Sequence, residues 1–381
     1  MKEDITASFI AQYKKTPDHC IFAPGRANII GEHTDYNEGF VLPFALEKGI
    51  WFAGSVNNTS VISIKAKDTD EYTEIDLDTL QSQNDYSWAK YFIQVLLALP
   101  NKNLRGAEIC FGGNLPIGAG ISSSSAIACG FTYLLDKLNS LMLSPKELVD
   151  TAVLAEQNHG VKGGIMDQFC IFHGKKDKAI LLDCRTDAAE LLPLELKNHK
   201  FYLINTNVKH HLLDTDYNNR RKQCDLAVSY ISQYIKPISS LRDLQITDLI
   251  ELQSKLDDDV FRIVSFVVQE NNRVLLAKEA LTNHNFTWLG TLMYESHDGL
   301  SQMYRVSCDE LDWLVNYTFN HDHILGARMM GGGFGGCTIN LVNGDLGENF
   351  QEKLKSLYFK EFGKLPDIFE ISSADGILAM N

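Results

Sequence analysis

A cluster of polar side chains lies near the start of the chain, between two apolar runs. It falls within APGRANIIGEHTDYNEGFVLPFAL, residues 23–46, and comprises Arg26, Glu32, His33, Asp35, Tyr36 and Asn37. Carboxylates, an imidazole and an amide together suit a polyhydroxy ligand, because each ligand hydroxyl needs an acceptor as well as a donor. Such polar density is typical of a loop that lines a pocket. A solvated turn with fortuitous charges is the alternative.

A second candidate functional group is a single carboxylate in the segment GGIMDQF, residues 163–169. Asp167 follows a glycine pair and stands among apolar residues. Burying an isolated carboxylate is costly, so such a residue is usually paired or functional. The alternative is an aspartate that is hydrogen-bonded at a turn.

The segment LPIGAGISSSSA, residues 115–126, indicates an anion site. A strand candidate precedes its glycines, and its serines run into an apolar-periodic segment that predicts a helix. The first N–H groups of a helix lack intrahelical partners and carry partial positive charge. Gly118 and Gly120 would let a phosphate approach the backbone closely, and the serine hydroxyls can cap the helix or bind a metal ion. A well-capped helix after a glycine turn is the alternative.

Two common nucleotide-binding motifs do not match this segment. No GK[ST] follows the glycines, as a Walker A loop requires, and Ser123 stands where a dinucleotide fingerprint needs its third glycine. A later run, GGGFGG at 331–336, matches GxGxxG, but the strand candidate CTINLV follows it where a helix is required. This second run therefore predicts a tight backbone wall against a neighbouring element or a ligand.

In the first half of the chain, predicted strands alternate with predicted helices, and these elements must position the candidate residues. Residue types and spacing predict strands at 49–57, 60–67, 106–112 and 178–184, and helices at 88–99, after Ser125 and at 146–160. From about 216 to 320 the pattern is almost wholly helical. There Val260, Val264, Val267 and Val274 share one helix face, and Arg262, Glu270 and Arg273 lie elsewhere on the helix. Strands at 323–328, 337–342 and 367–372 and a helix at 349–362 complete the prediction, with a domain boundary near 200.

Length and composition narrow the class of protein. The chain has 381 residues, which suggests two domains, and a net charge of -14, which argues against a DNA or RNA partner but not against a nucleotide substrate. The eight scattered cysteines show no metal-binding spacing and predict reduced thiols. The opening segment does not resemble a signal peptide, and no apolar run approaches the length of a membrane span. We therefore expect a cytoplasmic protein without a membrane partner.

Four motifs, taken in order, resemble the galactokinases of the GHMP kinase superfamily. They are GRANIIGEHTDYN, LPIGAGISSSSA, GGIMDQF and MMGGGFGGCT, and further similar segments lie at 88–95, 216–224, 270–281 and 296–312. The first motif is specific to galactokinases, whereas the glycine runs mark the superfamily more broadly. The resemblance covers nearly the whole chain.

The resemblance implies an α+β, two-domain GHMP kinase fold with the active site in the interdomain cleft. An N-terminal domain, 1–199, would carry the sugar motif, the phosphate loop and the catalytic aspartate. A helix-rich C-terminal domain, 200–381, would carry the 331–336 loop. The implied reaction is ATP-dependent phosphorylation of α-D-galactose at its anomeric hydroxyl, the entry step of galactose catabolism. The implied protein is a monomer that uses ATP and Mg²⁺ and has small molecules as its only partners.

The resemblance also implies a role for each site residue. Asp167 would be the catalytic base with Arg26 beside it, and Trp88 would lie in the adenine-pocket segment. Ser124 and Glu156 would hold Mg²⁺. The sugar contacts would be Glu32, His33, Asp35, Gly164 and Tyr217. The phosphate loop would comprise Gly118, Ala119, Gly120, Ser122, Ser123 and Ser124.

Two alternatives to galactose phosphorylation stay open at this stage. A related kinase could act on another sugar, such as N-acetylgalactosamine, arabinose or a uronic acid. A sensor of the same fold could bind galactose and ATP and transfer nothing.

Overall fold

This computed structural model describes residues 2–80, 88–100, 103–116, 120–208 and 213–380. Its strands, in chain order, are β1 (His19–Asn28), β2 (Phe40–Val41), β3 (Pro43–Val56), β4 (Val61–Ala66), β5 (Glu71–Asp76), β6 (Ala107–Gly113), β7 (Lys178–Asp183), β8 (Ala188–Pro193), β9 (His199–Asn205), β10 (Ile324–Met329), β11 (Cys337–Asn343), β12 (Asp367–Ile371) and β13 (Leu378–Met380). The strands and helices predicted from residue patterns are confirmed within about three residues at their ends, except that β3 begins at Pro43, six residues before the predicted start at 49.

The helices follow the same numbering. They are α1 (Lys2–Tyr13), α2 (Ala89–Ala98), α3 (Ser123–Asn139), α4 (Pro145–His159), α5 (Met166–His173), α6 (Leu213–Tyr234), α7 (Asp248–Gln253), α8 (Asp258–Thr282), α9 (Phe286–Asp298), α10 (Asp309–Phe319) and α11 (Glu348–Phe362). Local sequence explains several ends. For example, Ser144 and Glu147 form a capping box at the start of α4, where Pro145 occupies the first helical position.

A six-stranded sheet forms the base of the site, with strand order β13-β1-β3-β6-β4-β5. Its pairs are antiparallel except for the parallel pair β4 and β6. Helix α3 packs across β1 and β3, and α5 packs against the same two strands. The buried face contributes Ile21, Phe52 and Phe111 to the largest hydrophobic cluster, together with Phe131 of α3. This packing fixes the starts of α3 and α5 relative to β1.

Strand β1 is not among the predicted strands, because Pro24, Gly25 and Arg26 interrupt its pattern. The strand accommodates them through a register shift between Pro24 and Arg26. The polar segment 23–46 is thus a loop only between β1 and β2, at residues 29–39, and Arg26 lies on a strand. A side chain on a paired strand is held more rigidly than one on a loop.

The remaining strands form two smaller sheets. One has the order β10-β11-β9-β12, and the other has the order β2-β7-β8. Helices α9 and α10 pack on β10. The glycine run 331–336 connects β10 to β11, so the sheet fixes the position of both ends of the run.

Helices α6 to α10 confirm the helical region predicted between 216 and 320. Val264, Val267 and Val274 of α8 are buried on one face, as the spacing indicates. Glu270 and Arg273 are buried as well, and they form an ion pair of 2.7 Å. In the part of the chain described, no helix has both the length and the apolar character needed to cross a membrane.

The last described residues return to the six-stranded sheet. Strand β13 pairs with β1, with Cys20 opposite Met380. Before it, the Ala374 amide donates to the Ala45 carbonyl at 2.9 Å, and the Ile377 amide donates to the Ile171 carbonyl at 2.7 Å. Residues 372–380, called here the C-terminal strap, therefore contact both β3 and the end of α5.

Candidate active site

A cavity of about 660 Å³ lies among β1, the loop that follows it, the starts of α3 and α5, α6 and the glycine run. This volume is typical of a small-molecule site. Most predicted site residues line it, namely Arg26, Glu32, His33, Asp35, Gly120, Ser124, Glu156, Gly164, Asp167 and Tyr217. Ser122 and Ser123 form the start of α3 without belonging to the lining. Gly118 and Ala119 fall outside the described residues.

Arg26 and Asp167 form a two-pronged ion pair at the floor of the cavity. Arg26 Nε donates to Asp167 Oδ1 at 2.7 Å, and Nη2 donates to Oδ2 at 3.1 Å. Its third nitrogen, Nη1, donates to the Gly120 carbonyl at 2.6 Å. Burial alone would lower the pKa of Arg26, but the charges of Asp167 and Glu32 outweigh it and raise that pKa. The guanidinium therefore stays charged and fixes the carboxylate in a single orientation.

The start of α3 reaches the same carboxylate. Ser122 has a left-handed backbone, with φ of +60°, and its hydroxyl donates to Asp167 Oδ2. It makes no side-chain cap on the helix. The capped-helix alternative is thus wrong at this position, because the hydroxyl is used on Asp167. The first amides of α3 remain as donors for an anionic ligand.

Glu156 of α4 lies beside the serines. Ser125 Oγ donates to its Oε2 at 2.9 Å, and Gln168 Nε2 donates to the same oxygen. Burial and the charge of Asp167 raise the pKa of Glu156 to about 7, although the hydroxyl of Ser124 is among the groups that oppose the shift. A nearby cation would offset this cost and favour the ionised carboxylate.

Glu32 is held by two donors from the far side of the fold. Arg328 Nη2 and the Gly331 amide both donate to its Oε1, at 3.0 and 2.9 Å. Arg328 is fully buried and also donates to the carbonyls of Asn28 and Ile29 at 2.7 and 2.8 Å. The guanidinium therefore joins the end of β1 to the Glu32 carboxylate, and that carboxylate in turn accepts from the glycine run.

Asp35 is fixed by backbone donors. The Gly164 amide donates to Oδ2 at 3.1 Å, and the Tyr36 amide donates to Oδ1 at 2.9 Å. A Cβ at position 164 would lie 2.4 Å from Oδ2, so only glycine allows this approach. Burial, followed by the charge of Asp167, raises the pKa of Asp35 to about 6.

His33 and Tyr217 form an aromatic wall of the cavity. Their ring centroids are 5.3 Å apart, and Tyr36 lies against both rings. Burial lowers the pKa of His33 to about 3, so its imidazole is neutral at physiological pH. The cavity thus combines carboxylate acceptors with a neutral ring that has one donor and one acceptor.

The glycine run supplies the opposite wall, as its sequence predicts. Gly331, Gly332, Gly333, Gly335 and Gly336 all line the cavity. The Phe334 amide donates to the Val306 carbonyl at 2.6 Å, and the Met330 amide donates to the Cys337 carbonyl at 2.9 Å. The run therefore forms a hydrogen-bonded backbone surface between the cavity and the residues that it bonds on its other side.

Comparison with known proteins identifies the family. The galactokinase galactose-binding signature matches residues 7–56, and the N-terminal and C-terminal GHMP kinase domains match residues 90–175 and 277–360. A galactokinase of Thermosipho africanus is 37% identical over 358 residues, which cover 93% of this chain and 98% of that protein. A galactokinase of Clostridium beijerinckii is 35% identical and covers 98% and 97%. The chain belongs to the galactokinase family.

Solved structures agree with this membership. The galactokinase of Lactococcus lactis, complexed with galactose, superposes with a TM-score of 0.95 at 30% identity and covers 99% of both chains. An L. major mevalonate kinase in complex with R-mevalonate has a TM-score of 0.61 at 17% identity, which shows a shared fold alone. The predicted α+β GHMP kinase fold of this galactokinase-family chain is confirmed.

Several cavity residues of this galactokinase-family chain are absent from the predicted site. They include Tyr91, Gln168, Asn205, Asn207 and Met330. Gln168 adjoins Asp167 in a recognised motif, and Asn205 and Asn207 follow an apolar strand, which is a position where polar side chains often reach a site. The sequence therefore contains signals that could have identified Gln168, Asn205 and Asn207 as site residues.

The tryptophan predicted for the adenine segment lies outside the cavity lining. Trp88 packs on Phe92 and Phe111, at centroid distances of 5.6 and 5.4 Å. Tyr91, one helical turn later, does line the cavity, and its ring stacks on His159 at 3.8 Å. An adenine contact by Trp88 therefore stays a prediction.

Proposed function

We propose that this protein is a galactokinase that transfers the γ-phosphoryl group of ATP to the anomeric hydroxyl of α-D-galactose. The product is galactose 1-phosphate. The observation that carries the proposal is the Arg26–Asp167 pair, which is bonded to Gly120 and Ser122 at the start of α3 inside one cavity. This arrangement supports a proton acceptor, Asp167, beside a phosphate site at the start of α3.

Asp167 would orient the anomeric hydroxyl and accept its proton. Phosphoryl transfer passes through a loose transition state, so positioning and charge neutralisation supply most of the catalysis. A strong base is not required early in the reaction, because little bonding to the nucleophile has then formed. An aspartate that Arg26 holds in one orientation meets this requirement.

The phosphates of ATP would bind the amides at the start of α3. Gly120 and Ser122 both have left-handed backbones there, and the helix dipole favours negative charge. Gly118, Ala119, Ser123 and Ser124 would complete the loop. Arg26 would add positive charge on the side where the transferred phosphoryl group develops negative charge.

The Ser124 hydroxyl and the Glu156 carboxylate fit a magnesium ion. Both are oxygen donors, which Mg²⁺ prefers, and the raised pKa of Glu156 reflects a buried carboxylate with incomplete charge compensation. When bound, Mg²⁺ would neutralise charge on the phosphates. Ser125 and Gln168 would orient Glu156 through the hydrogen bonds that they donate to its Oε2.

Galactose would bind at the opposite end of the cavity. Glu32 and Asp35 would accept from sugar hydroxyls, and Tyr217 and Gly164 would border the ring. His33 would contact a further sugar oxygen. This set supports a hexose with several hydroxyls rather than an apolar acceptor.

A sugar panel in a coupled ADP-release assay tests the proposal. We expect galactose to have the highest kcat/KM among galactose, N-acetylgalactosamine, arabinose and galacturonic acid. A better acceptor among the other three would overturn the assignment to galactose. ATP turnover absent with every sugar, despite calorimetric galactose binding, would identify a sensor.

Three further properties belong to the same proposal. We place a domain boundary near residue 199 and the active site between the two parts. We also propose a monomer, which sedimentation would test. A cytoplasmic location is supported by the eight cysteines, which are all free thiols.

A further inference from the structure

A row of buried hydrogen bonds begins at His33 and runs away from the cavity. His33 Nδ1 lies 2.6 Å from Tyr36 Oη, which lies 2.9 Å from Tyr304 Oη. The Tyr304 hydroxyl lies 3.2 Å from Cys224 Sγ. We call these four side chains the His33 relay. They come from the loop after β1, the segment before α10 and helix α6.

The relay crosses an apolar region. Tyr304 is fully buried in a cluster that includes Phe266 and Leu300, and Cys224 belongs to the same cluster. Phenylalanine would fill the Tyr304 site without a polar atom to satisfy. A buried hydroxyl stabilises a fold only when it has a hydrogen-bond partner, so a connected row of hydroxyls indicates that a group at one end of the row needs such a partner. That group is the His33 imidazole.

The hydrogen bond at Nδ1 has a preferred direction. A phenol O–H is a stronger donor than a neutral imidazole N–H, which favours donation from Tyr36 to Nδ1. Tyr304 and Cys224 extend the row, and their hydroxyl and thiol can each donate or accept. The 2.6 Å distance at Nδ1 is typical of a hydroxyl donor and short for an N–H donor.

This direction settles the tautomer of a neutral ring. If Nδ1 accepts, the single proton lies on Nε2. His33 is buried and lines the cavity, and its Nε2 has no hydrogen-bond partner within the described part of the chain. The Gly332 backbone approaches the imidazole without completing such a bond at Nε2. A side chain that lines the ligand space therefore carries an N–H donor with no hydrogen-bond acceptor among the described residues.

We propose that Tyr36, Tyr304 and Cys224 are positioning residues that hold His33 as the Nε2–H tautomer, so that it donates to a ligand oxygen. That the oxygen belongs to a sugar rests on the proposed function. Glu32 and Asp35 can only accept when ionised, so His33 would be the complementary donor for a hydroxyl whose own proton points to a carboxylate. The relay would thus add specificity without touching the substrate.

The first test observes the tautomer directly, in the protein without ligand. Nitrogen-15 NMR of labelled protein, with His33 assigned from the spectrum of His33→Gln, distinguishes the two ring nitrogens. We expect protonated Nε2 in the wild type and a mixture of tautomers in Tyr36→Phe, which removes the donor to Nδ1. A wild-type Nδ1–H tautomer, or an unchanged tautomer in Tyr36→Phe, would overturn the inference.

The second test separates this role from a merely structural one. We expect Tyr36→Phe to raise the galactose KM about tenfold and Tyr304→Phe to raise it about threefold, with the ATP KM unchanged. Tyr358→Phe is the matched control, because Tyr358 is also fully buried and its hydroxyl donates to the Thr206 carbonyl at 2.9 Å outside the relay. An equal rise in the control would show that hydroxyl loss acts only through packing.

The two proposals fail separately. A wild-type protein that does not phosphorylate galactose would overturn the proposed function and leave the NMR test of the relay intact. Galactose turnover that is normal in Tyr36→Phe and Tyr304→Phe would overturn the relay and leave the proposed function in place.

Discussion

Asp167 is the residue on which the proposed chemistry depends. Arg26 bonds both of its oxygens, and the Ser122 hydroxyl bonds one of them, so the carboxylate is held from a strand and from the start of a helix at once. Its side chain remains 24% exposed and lines the cavity. A carboxylate that is held firmly yet open on one side is suited to orient a hydroxyl.

We expect Asp167→Asn to lower kcat by at least about a thousandfold, because the amide cannot accept the proton. Galactose affinity should change only a few fold, since the amide still fills the same space. Steady-state kinetics and calorimetry measure the two effects. Asp345→Asn is a control, because Asp345 pairs with Lys200 at an exposed site. Turnover near the wild-type rate in Asp167→Asn would remove this residue from the proton-transfer step.

Asp35 should make galactose binding depend on pH. Burial and the charge of Asp167 raise its pKa to about 6, and only the ionised form has its full capacity to accept. If galactose binds the ionised form, as proposed, its affinity should fall as pH decreases below 6, and binding there should release a proton. Calorimetry without ATP, in buffers of different ionisation enthalpy, measures both. Asp35→Asn should bind more weakly at pH 8 and show a flat profile, whereas a flat wild-type profile from pH 5 to 8 would contradict this role.

At the scale of elements, the glycine run 331–336 has little freedom to vary. Gly331 and Gly333 have φ near +84° and +83°, and the chain between them faces both the cavity and its neighbours. A Cβ at position 333 would lie 2.0 Å from the Val306 carbonyl oxygen. Backbone conformation and close approach both require glycine there.

We expect Gly333→Ala to destabilise the protein clearly more than Gly344→Ala. Gly344 has φ of +80°, but a Cβ there would meet nothing within 4 Å. Its substitution should therefore cost only the backbone strain, about 1 kcal/mol. Denaturant unfolding of both variants measures the difference. Equal losses would mean that the contact with Val306 yields easily and that conformation alone fixes this glycine.

Elements with a clear residue period could be predicted from sequence, and long-range partners could not. The valine spacing on α8 predicts its buried face correctly. The same helix buries Glu270, which accepts from the Gly31 amide at 2.9 Å and from Ser296 Oγ at 2.7 Å. Helical periodicity holds no information about such distant partners, so a charged residue at this position indicates solvent.

The candidate site shows the same division between residues that could be predicted from sequence and residues that could not. Motifs identify Arg26, Asp167 and the loop serines, because their types and spacing carry chemistry. Arg328 stands in the segment LGARMM and Tyr304 in QMYRVS, and only the folded chain shows that Arg328 bonds Glu32 and that Tyr304 bonds Tyr36. Supporting residues could not be predicted because their function lies in contacts with residues far away in sequence.

Across the protein, Arg328 is a fully buried link between the first and second halves of the chain at this site. It lies on β10, yet it bonds the end of β1 and Glu32, nearly three hundred positions earlier. Four acceptors surround its guanidinium, counting the Met329 carbonyl. A single side chain of β10 thus holds the loop after β1 in place.

We expect Arg328→Met to reduce the free energy of unfolding by about 3–5 kcal/mol, because Glu32 is left buried without its charge partner. Adding Glu32→Gln should recover part of this loss. Lys200→Met, which removes a largely exposed pair with Asp345, should cost less than about 1 kcal/mol. Denaturant unfolding measures all three. A double variant no more stable than Arg328→Met would show that the arginine acts through its carbonyl contacts alone.

The pairing of β13 with β1 has a consequence for aggregation. In the six-stranded sheet β13 occupies the edge and covers one side of β1, whose other side pairs with β3. An unpaired strand edge readily joins other chains. A variant truncated before the C-terminal strap would therefore expose the β1 edge, and we expect it to aggregate more readily than the untruncated protein.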